Sequence, residues 1–362
     1  MPVRVIGMIG VAPPAGDATV HVIKGGISPS YLAAFAQAHE AAGFDLVLVG
    51  YTASSAEGFL VAQYAAHHTG RLGFLIAHRP GFVAPTLAAR KIATFDHLTG
   101  GRLALHVISG ASDAEQHGDG DFAPKEERYR RAAEYLEVMK LAWTSEQRFD
   151  FAGEFYHVQG AHSDVRPLRK PHPPLFFGGS SEGALAMGAK HCDVFAAFGE
   201  PLAATAERIA EFRARAAAYG RTPAFNMSFR PILAATEGAA WDRARRILAS
   251  IRKPGDPTGF GNARKPLAQS ARRLLDFAAK GETHDERLWM PIAEATGAVG
   301  NTSCLVGTPE QVARALLEYY KLGVHSFLLR GFDPFEDAVD FGRELIPRLR
   351  VGAEELDGAK AA

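Results

Sequence analysis

Residues 178–181, Gly-Gly-Ser-Ser, stand between a short apolar run and a helical pattern. A helix that begins here presents free backbone N–H groups and the positive end of its dipole. Ser180 and Ser181 add two hydroxyl groups, although a serine at this place is also an ordinary helix N-cap. We predict that Gly179, Ser180 and Ser181 bind a phosphate group.

Three arginines follow apolar, strand-like runs: Arg79, Arg230 and Arg330. Guanidinium groups bind oxyanions through two parallel hydrogen bonds and keep their charge when partly buried. Any one of them could instead form a structural ion pair. Few carboxylates follow the same runs, which argues against two-carboxylate hydrolysis and against a divalent metal site. We predict an anionic substrate and no metal.

The stretch from Gly101 to Leu136 combines an apolar run with a long polar loop and a helix. His106 lies within the run and points inward if its apolar neighbours point outward. Ser109 ends the run, and the helix that starts near Glu126 carries Tyr129. A histidine can donate or accept hydrogen bonds, so His106 is a candidate ligand-binding residue. His117, in the loop, is expected to be solvated.

Strand-like and helix-like runs alternate along the whole chain, and many of the helical runs end in glycine, as helix C-caps do. Eight such units favour a (β/α)8 TIM barrel, in which strand C-termini meet at one mouth. A Rossmann sheet is the alternative, weakened because no GxGxxG directly follows a strand. The strands are predicted at Val3–Ile9, Asp45–Val49, Leu72–Ala77, Leu103–Ile108, Leu175–Phe177, Asp193–Ala197, Phe225–Leu233 and Ser326–Leu329.

Two segments exceed the repeating unit of this single domain, residues 1–362. Residues 144–174 alternate around Gly153 and predict a β-hairpin. Residues 252–301 begin with a run rich in proline and glycine and then show weak helices, which predicts a mobile lid followed by helices. Arg264 and Lys265 in this lid could cap an anion, although solvated loop charges are the simpler interpretation.

The composition is that of a soluble protein with a large core. Of 362 residues, 47% are hydrophobic, and 40 basic residues balance 40 acidic ones. We therefore expect neither a nucleic-acid partner nor a membrane partner. Cys192 and Cys304 are expected to be buried thiols, and the N-terminus does not resemble a signal peptide, so a cytoplasmic location is predicted.

The sequences of Gly101–Leu136 and Phe176–Ser181 resemble those of the alkanesulfonate monooxygenase branch of the bacterial luciferase-like flavin-dependent monooxygenases. The resemblance extends from about Val3 to Arg350. The resemblance implies FMN as cofactor, used as FMNH2 from a separate NAD(P)H-dependent flavin reductase, with O2 as co-substrate. Ser180 and Ser181 would bind the FMN phosphate, Tyr129 would reach it, and His106 and Ser109 would contact the flavin. A homodimer or homotetramer is expected.

The substrate side departs from that branch. Ser228-Phe229-Arg230 stands where the relatives carry Arg-x-His, and Phe332 stands where they carry tyrosine. We predict His106, Arg230 and Arg330 as catalytic residues. The substrate-binding residues are predicted to be Arg79, Ser228, Arg230, Arg330 and Phe332.

The function predicted is oxygenation of a small organosulfur compound, with an alkanesulfonate cleaved to aldehyde and sulfite as the leading substrate. Three alternatives stay open. The chain could be a monooxygenase of another small substrate, such as an alkane, aldehyde, sulfone or heterocycle. It could also be an F420-dependent oxidoreductase of the same superfamily, or a flavin-binding protein without catalysis.

Overall fold

The structure is a computed structural model that describes residues 2–14, 18–19, 26–110, 112–251 and 268–361. A π-helical turn, Phe341–Leu345, joins its last two helices. In chain order the elements are β1 (Arg4–Met8), α1 (Pro29–Ala41), β2 (Leu46–Val49), α2 (Gly58–His67), β3 (Gly73–His78), α3 (Pro85–Leu98), β4 (Leu103–Val107), α4 (Asp113–Gly118), α5 (Lys125–Thr144), β5 (Phe149–Ala152), β6 (His157–Ala161), β7 (Leu175–Phe177), α6 (Glu182–His191), β8 (Val194–Phe198), α7 (Leu202–Ala217), β9 (Ala224–Leu233), α8 (Glu237–Ile251), α9 (Gln269–Ala278), β10 (Thr283–His284), β11 (Leu288–Trp289), α10 (Pro291–Ala295), β12 (Cys304–Gly307), α11 (Pro309–Lys321), β13 (Val324–Leu329), α12 (Pro334–Asp340) and α13 (Ile346–Ala361).

The predicted (β/α)8 barrel is confirmed. Strands β1, β2, β3, β4, β7, β8, β9 and β13 pair in this order, each parallel to the next, and β13 pairs with β1 to close the ring. Because all eight strands are parallel, their C-terminal ends lie at one mouth of the barrel. Any ligand held by strand ends must bind at this mouth.

Alternation along the strands sorts side chains between the barrel interior and the surrounding helices. On β4, Leu103, Leu105 and Val107 pack outward in the main hydrophobic core, with the helices. Ala104 belongs to a separate cluster that fills the base of the barrel, together with Ile6, Leu75, Phe176 and Leu328. His106, two residues after Ala104, therefore faces the interior, above an apolar floor.

Segment 144–174 contains the antiparallel pair β5–β6. The second long segment contributes strands that the sequence analysis did not foresee. The first part of β9 pairs within the barrel, whereas Arg230–Leu233 extend beyond it and pair with β12, which in turn pairs with β11. Residues 252–267, which include Arg264, Lys265 and most of the predicted lid, lie outside the described residues.

The loop after β4 differs from the expectation of an irregular segment. Residues Asp113–Gly118 form α4, whose N-cap Ser112 accepts a hydrogen bond from the backbone N–H of Glu115. Both cysteines are buried free thiols. In the described part of the chain, no helix is both long enough and apolar enough to cross a membrane.

Candidate active site

A cavity of about 320 Å³ opens at the C-terminal mouth of the barrel. Its floor is apolar and includes Leu48, Leu75 and Leu328. Its polar side chains fall into two groups carried by different elements. We call the first group the serine cradle (Lys125, Tyr129, Gly179, Ser180 and Ser181) and the second the arginine end (Ser228, Asn301 and Arg330).

The serine cradle is built where α6 begins against the first turn of α5. Ser181 is the N-cap of α6, and its Oγ accepts a hydrogen bond from the backbone N–H of Ala184 at 3.4 Å. Tyr129 is 9% exposed and its hydroxyl interacts with the Ser181 side chain. The two helices approach closely at Gly183, where a Cβ would lie 3.1 Å from the Tyr129 ring and 2.3 Å from Glu126 Oε2, the mobile end of a glutamate side chain. Ser181 is thus a cap as well as a cradle residue.

Ser180 has no capping role and is held differently. Its Oγ accepts a hydrogen bond from Arg208 Nη2. The hydroxyl hydrogen remains available to a ligand, and acceptance from a cation makes a hydroxyl a stronger donor. Lys125, the first residue of α5, adds a partly exposed cation to the same cradle. Sequence analysis missed Lys125 and Arg208, because nothing in their local pattern distinguishes them from other surface charges.

His106 lines the cavity as predicted from strand alternation. Burial lowers its pKa to about 4, so the imidazole is neutral near pH 7. Its Nδ1 is buried without a hydrogen-bond partner, and so is Oγ of the neighbouring Ser109. Buried polar atoms are almost always hydrogen-bonded, so two orphaned atoms in one cavity indicate a place for a polar ligand.

Arg330 follows β13 and lines the arginine end. Its Nη2 donates to the carbonyl of Asn301 at 3.3 Å and its Nη1 to the sulfur of Met8 at 3.0 Å, while Nε is buried without a partner. Burial, and then the charge of Arg230, lower the pKa of Arg330 well below its usual value. No carboxylate of the described residues forms an ion pair with Arg330. The cavity therefore contains a cation without a counter-charge.

Arg230 and Phe332 do not line this cavity, contrary to the prediction that both contact the substrate. Arg230 is 1% exposed and donates to the carbonyls of Asn301 at 2.9 Å, Gly331 at 2.8 Å and Thr19 at 3.3 Å. Its guanidinium lies 4.8 Å from the centre of the Phe332 ring. The reason is that β9 continues past the barrel, where loops cover it, so Arg230 fastens those loops together.

Arg79 also lies outside the cavity, contrary to its predicted role. It pairs with Glu115 at 2.7 Å and Asp119 at 3.1 Å and stacks on Tyr51 at 4.4 Å. The unforeseen helix α4 brings these carboxylates to the arginine. His117 is exposed, as expected, and it stacks on Phe122, which is also exposed, with ring centres 4.6 Å apart.

Ser228 lies in the cavity wall as predicted, and Asn301, which sequence analysis missed, organises the residues around it. Asn301 has a φ of 54°, a left-handed conformation that asparagine tolerates better than most residues. Its carbonyl accepts from both Arg230 and Arg330, and its side chain donates to Ser228 Oγ. Asn226, Gln269 and Ser270 complete this part of the wall.

The residues of the site suit a ligand that carries an anionic group and a polar ring. Across the described ranges, no group of three or more His, Cys, Asp or Glu side chains could hold a metal ion. Within one cavity the arrangement offers hydroxyls and a cation in the serine cradle, a neutral histidine, and a guanidinium without a carboxylate partner. A ligand, or two ligands, with more than one negative group fits this set of residues.

Several solved structures share the fold of this chain. EDTA monooxygenase from Chelativorans sp. BNC1 superposes with a TM-score of 0.75 at 19% identity, over 97% of this chain and 94% of that chain. Riboflavin lyase, solved with modified FMN and substrate riboflavin, gives 0.74 at 20% identity, over 97% and 92%. An F420-dependent secondary alcohol dehydrogenase, in complex with an F420-acetone adduct, gives 0.70 at 15% identity, over 97% and 100%.

These likenesses show a fold that is shared by proteins with different names and reactions. The family itself is shown by the sequence: residues 8–326 match the model of the luciferase-like monooxygenases. The chain therefore belongs to the luciferase-like monooxygenase family.

Proposed function

We propose that this enzyme is the oxygenating component of a two-component, FMNH2-dependent monooxygenase that acts on a small anionic organosulfur compound, an alkanesulfonate. The observation that carries the proposal is Arg330, a partly buried guanidinium that opens into the cavity without a carboxylate partner among the described residues. A sulfonate stays ionised at neutral pH, and its burial is costly unless a fixed positive charge offsets its desolvation.

The residues present fit FMN. Ser180, Ser181, Tyr129 and Lys125 would hold the phosphate at the start of α6, where backbone N–H groups add to the hydroxyls. His106 Nδ1 and Ser109 Oγ, both orphaned, would meet polar atoms of the flavin ring. Gly178 leaves room beside them, since a Cβ there would lie 2.4 Å from the carbonyl of Ala196.

Reduced FMN supplies two electrons and, with O2, the oxygenating chemistry. The protein supplies position and exclusion of water. Arg330 would grip the sulfonate, and the carbonyl of Asn301 would keep the guanidinium in place. For an alkanesulfonate, the C–S bond breaks, the carbon becomes an aldehyde, and the sulfur leaves as sulfite. One oxygen atom of O2 enters the product and the other leaves as water.

His106 can orient a ligand but is a poor proton source at neutral pH, because burial keeps it unprotonated. Its orphaned Nδ1 can accept or donate one hydrogen bond, depending on the tautomer. We therefore assign it a contact with the flavin ring. The reductant is proposed to come from a separate NAD(P)H-dependent reductase, because the chain carries no GxGxxG fingerprint after a strand.

The test combines the purified protein with FMN, a flavin reductase, NADH and O2, and a panel of substrates. The panel contains linear alkanesulfonates of increasing length, a dialkyl sulfone, an alkane and an aldehyde. We expect sulfite and aldehyde in equal amounts from at least one sulfonate. Turnover of the neutral compounds alone would refute the assignment of an anionic substrate while leaving the monooxygenase activity in place.

An F420-dependent oxidoreductase is the second candidate, and the likeness to the F420-dependent alcohol dehydrogenase favours it specifically. F420 also carries a phosphate that the serine cradle could bind. Anaerobic incubation with reduced or oxidised F420 and an alcohol or ketone separates the two functions. Hydride transfer without O2 would support F420, whereas strict dependence on O2 would support FMN.

A further inference from the structure

Glu200 is a buried carboxylate outside the cavity that connects two parts of the site. It is 1% exposed, and its Oε1 accepts from Arg208 Nη1 at 3.0 Å and from Arg273 Nε at 2.9 Å. Its Oε2 accepts from Arg273 Nε at 2.9 Å as well. The backbone carbonyl of Glu200 accepts from the hydroxyls of Tyr319 and Thr205, which holds the residue in place.

The two arginines lead to different places. Arg208, on α7, also donates to Ser180 Oγ in the serine cradle. Arg273 is on α9, and the residues that begin this helix, Gln269 and Ser270, line the cavity. A continuous chain of polar contacts thus joins the cradle to the helix that forms one wall of the cavity.

The net charge of this series of contacts depends on Arg273. Glu200 carries one negative charge and the two arginines carry two positive charges, so the cluster is positive by one unit while Arg273 is in place. Without Arg273, Glu200 would neutralise Arg208, and the positive field behind Ser180 would be lost. Glu200 and Arg208 are largely buried, so their charges interact more strongly than charges in water, whereas Arg273 is partly exposed.

We propose that Glu200 and Arg273 are positioning residues that couple binding of a phosphate in the serine cradle to docking of helix α9. The inference rests on the proposed function, in which that phosphate belongs to FMN. Docking of α9 brings Arg273 to Glu200 and leaves the charge of Arg208 free to act on the phosphate through Ser180. Because coupling between two sites is reciprocal, a bound phosphate stabilises the docked helix to the same extent.

The experiment compares FMN with riboflavin, which has the same ring and no phosphate. Affinities are measured by flavin fluorescence titration for the wild type and for Arg273→Gln. The control is Arg272→Gln, which removes an exposed charge from the same helix. We expect Arg273→Gln to weaken FMN binding about fivefold or more, and to leave riboflavin binding within about twofold. Arg272→Gln should keep the wild-type ratio of the two affinities.

The double variant Arg273→Gln with Glu200→Gln separates charge coupling from simple damage. It removes the negative charge that Arg273 neutralised, so the ratio of FMN to riboflavin affinity should return toward that of the wild type. Circular dichroism and the riboflavin affinity check that each variant is folded. An equal loss of both flavins in Arg273→Gln, or a further fall of the ratio in the double variant, would overturn the proposal.

Hydrogen exchange gives the reciprocal measurement. FMN should protect the amides of α9 in the wild type more than saturating riboflavin does, and this difference should vanish in Arg273→Gln. Equal protection by both flavins in the wild type would also overturn the coupling. If neither flavin binds at the cavity, it is the proposed function that fails, and the two failures are thereby distinguished.

Discussion

Replacing Arg330 by methionine tests the substrate assignment most directly. Methionine is also unbranched at Cβ and Cγ but is shorter than arginine, so the change removes the charge and all the donors while it keeps the apolar stem. In the structure, Nε has no partner and Nη1 points at a weak thioether acceptor, Met8, so two N–H groups are available to a sulfonate. A hydrogen bond to a charged group contributes about 1.5–3 kcal/mol. We expect a loss of about 3 kcal/mol, which corresponds to a rise of roughly 150-fold in the KM of a sulfonate.

The same substitution should stabilise the protein without ligand. Burial and the charge of Arg230 lower the pKa of Arg330, which means that the charged form is disfavoured in the folded state. Removal of this charge should therefore raise the Tm, by about 2 °C for each kcal/mol gained. Opposite effects on substrate binding and on stability are expected for a residue that serves function at the expense of the fold.

The assay follows sulfite release over a range of sulfonate concentrations, and differential scanning fluorimetry gives the Tm. A neutral dialkyl sulfone and the charge-conserving variant Arg330→Lys are the controls. We expect the KM of the sulfone to change little and Arg330→Lys to recover part of the sulfonate affinity. A lower Tm together with equal losses for the charged and neutral substrates would refute the reasoning and make Arg330 a structural residue.

Three further perturbations address the serine cradle, the buried Arg230 and the buried histidines. Ser180→Ala combined with Ser181→Ala should weaken FMN by roughly 1–3 kcal/mol in a flavin titration, because charge-assisted bonds to the phosphate are lost; unchanged affinity would place the phosphate elsewhere. Arg230→Met should lower the free energy of unfolding by about 3 kcal/mol in urea, because three loop carbonyls lose their donor; a stability equal to wild type would contradict this role. Burial lowers the pKa of His39 and His78 to about 4, below the usual 6.5. As the pH falls, the unfolded chain therefore binds protons before the folded protein does. The free energy of unfolding should decrease as the pH drops from about 6.5 to about 4. Urea titrations at several pH values measure this fall, and His78→Gln should reduce it; an unaltered pH dependence would show that His78 does not contribute.

The barrel and its cradle could be predicted because they depend on local patterns. Strand-like runs with short spacing, helices closed by glycine, and Gly-Gly-Ser-Ser after an apolar run are each contained in a few consecutive residues. The alternation of a strand also decides which side chains enter the barrel, and it placed His106 and Ser228 in the cavity wall. Eight parallel strands then bring Tyr129 and Ser181 together, although they are distant in sequence.

Short elements within long segments were less predictable. Strand β12 and helix α4 have four and six residues, too few for a periodicity to be recognised, and their stability comes from tertiary contacts. Asn301 is a similar case, because its left-handed backbone depends on the arginines and the serine that it joins.

The sequence by itself therefore determined the barrel fold and the inward position of His106 on its strand, since both follow from periodicity. Only the tertiary structure decided what each arginine does. Arg79, Arg230 and Arg330 have the same side chain at the ends of three strands, yet two are satisfied by partners far away in the chain. A guanidinium binds whichever acceptors surround it, and those acceptors are assembled only when the chain folds, leaving Arg330 as the one of these three that faces the cavity without a counter-charge.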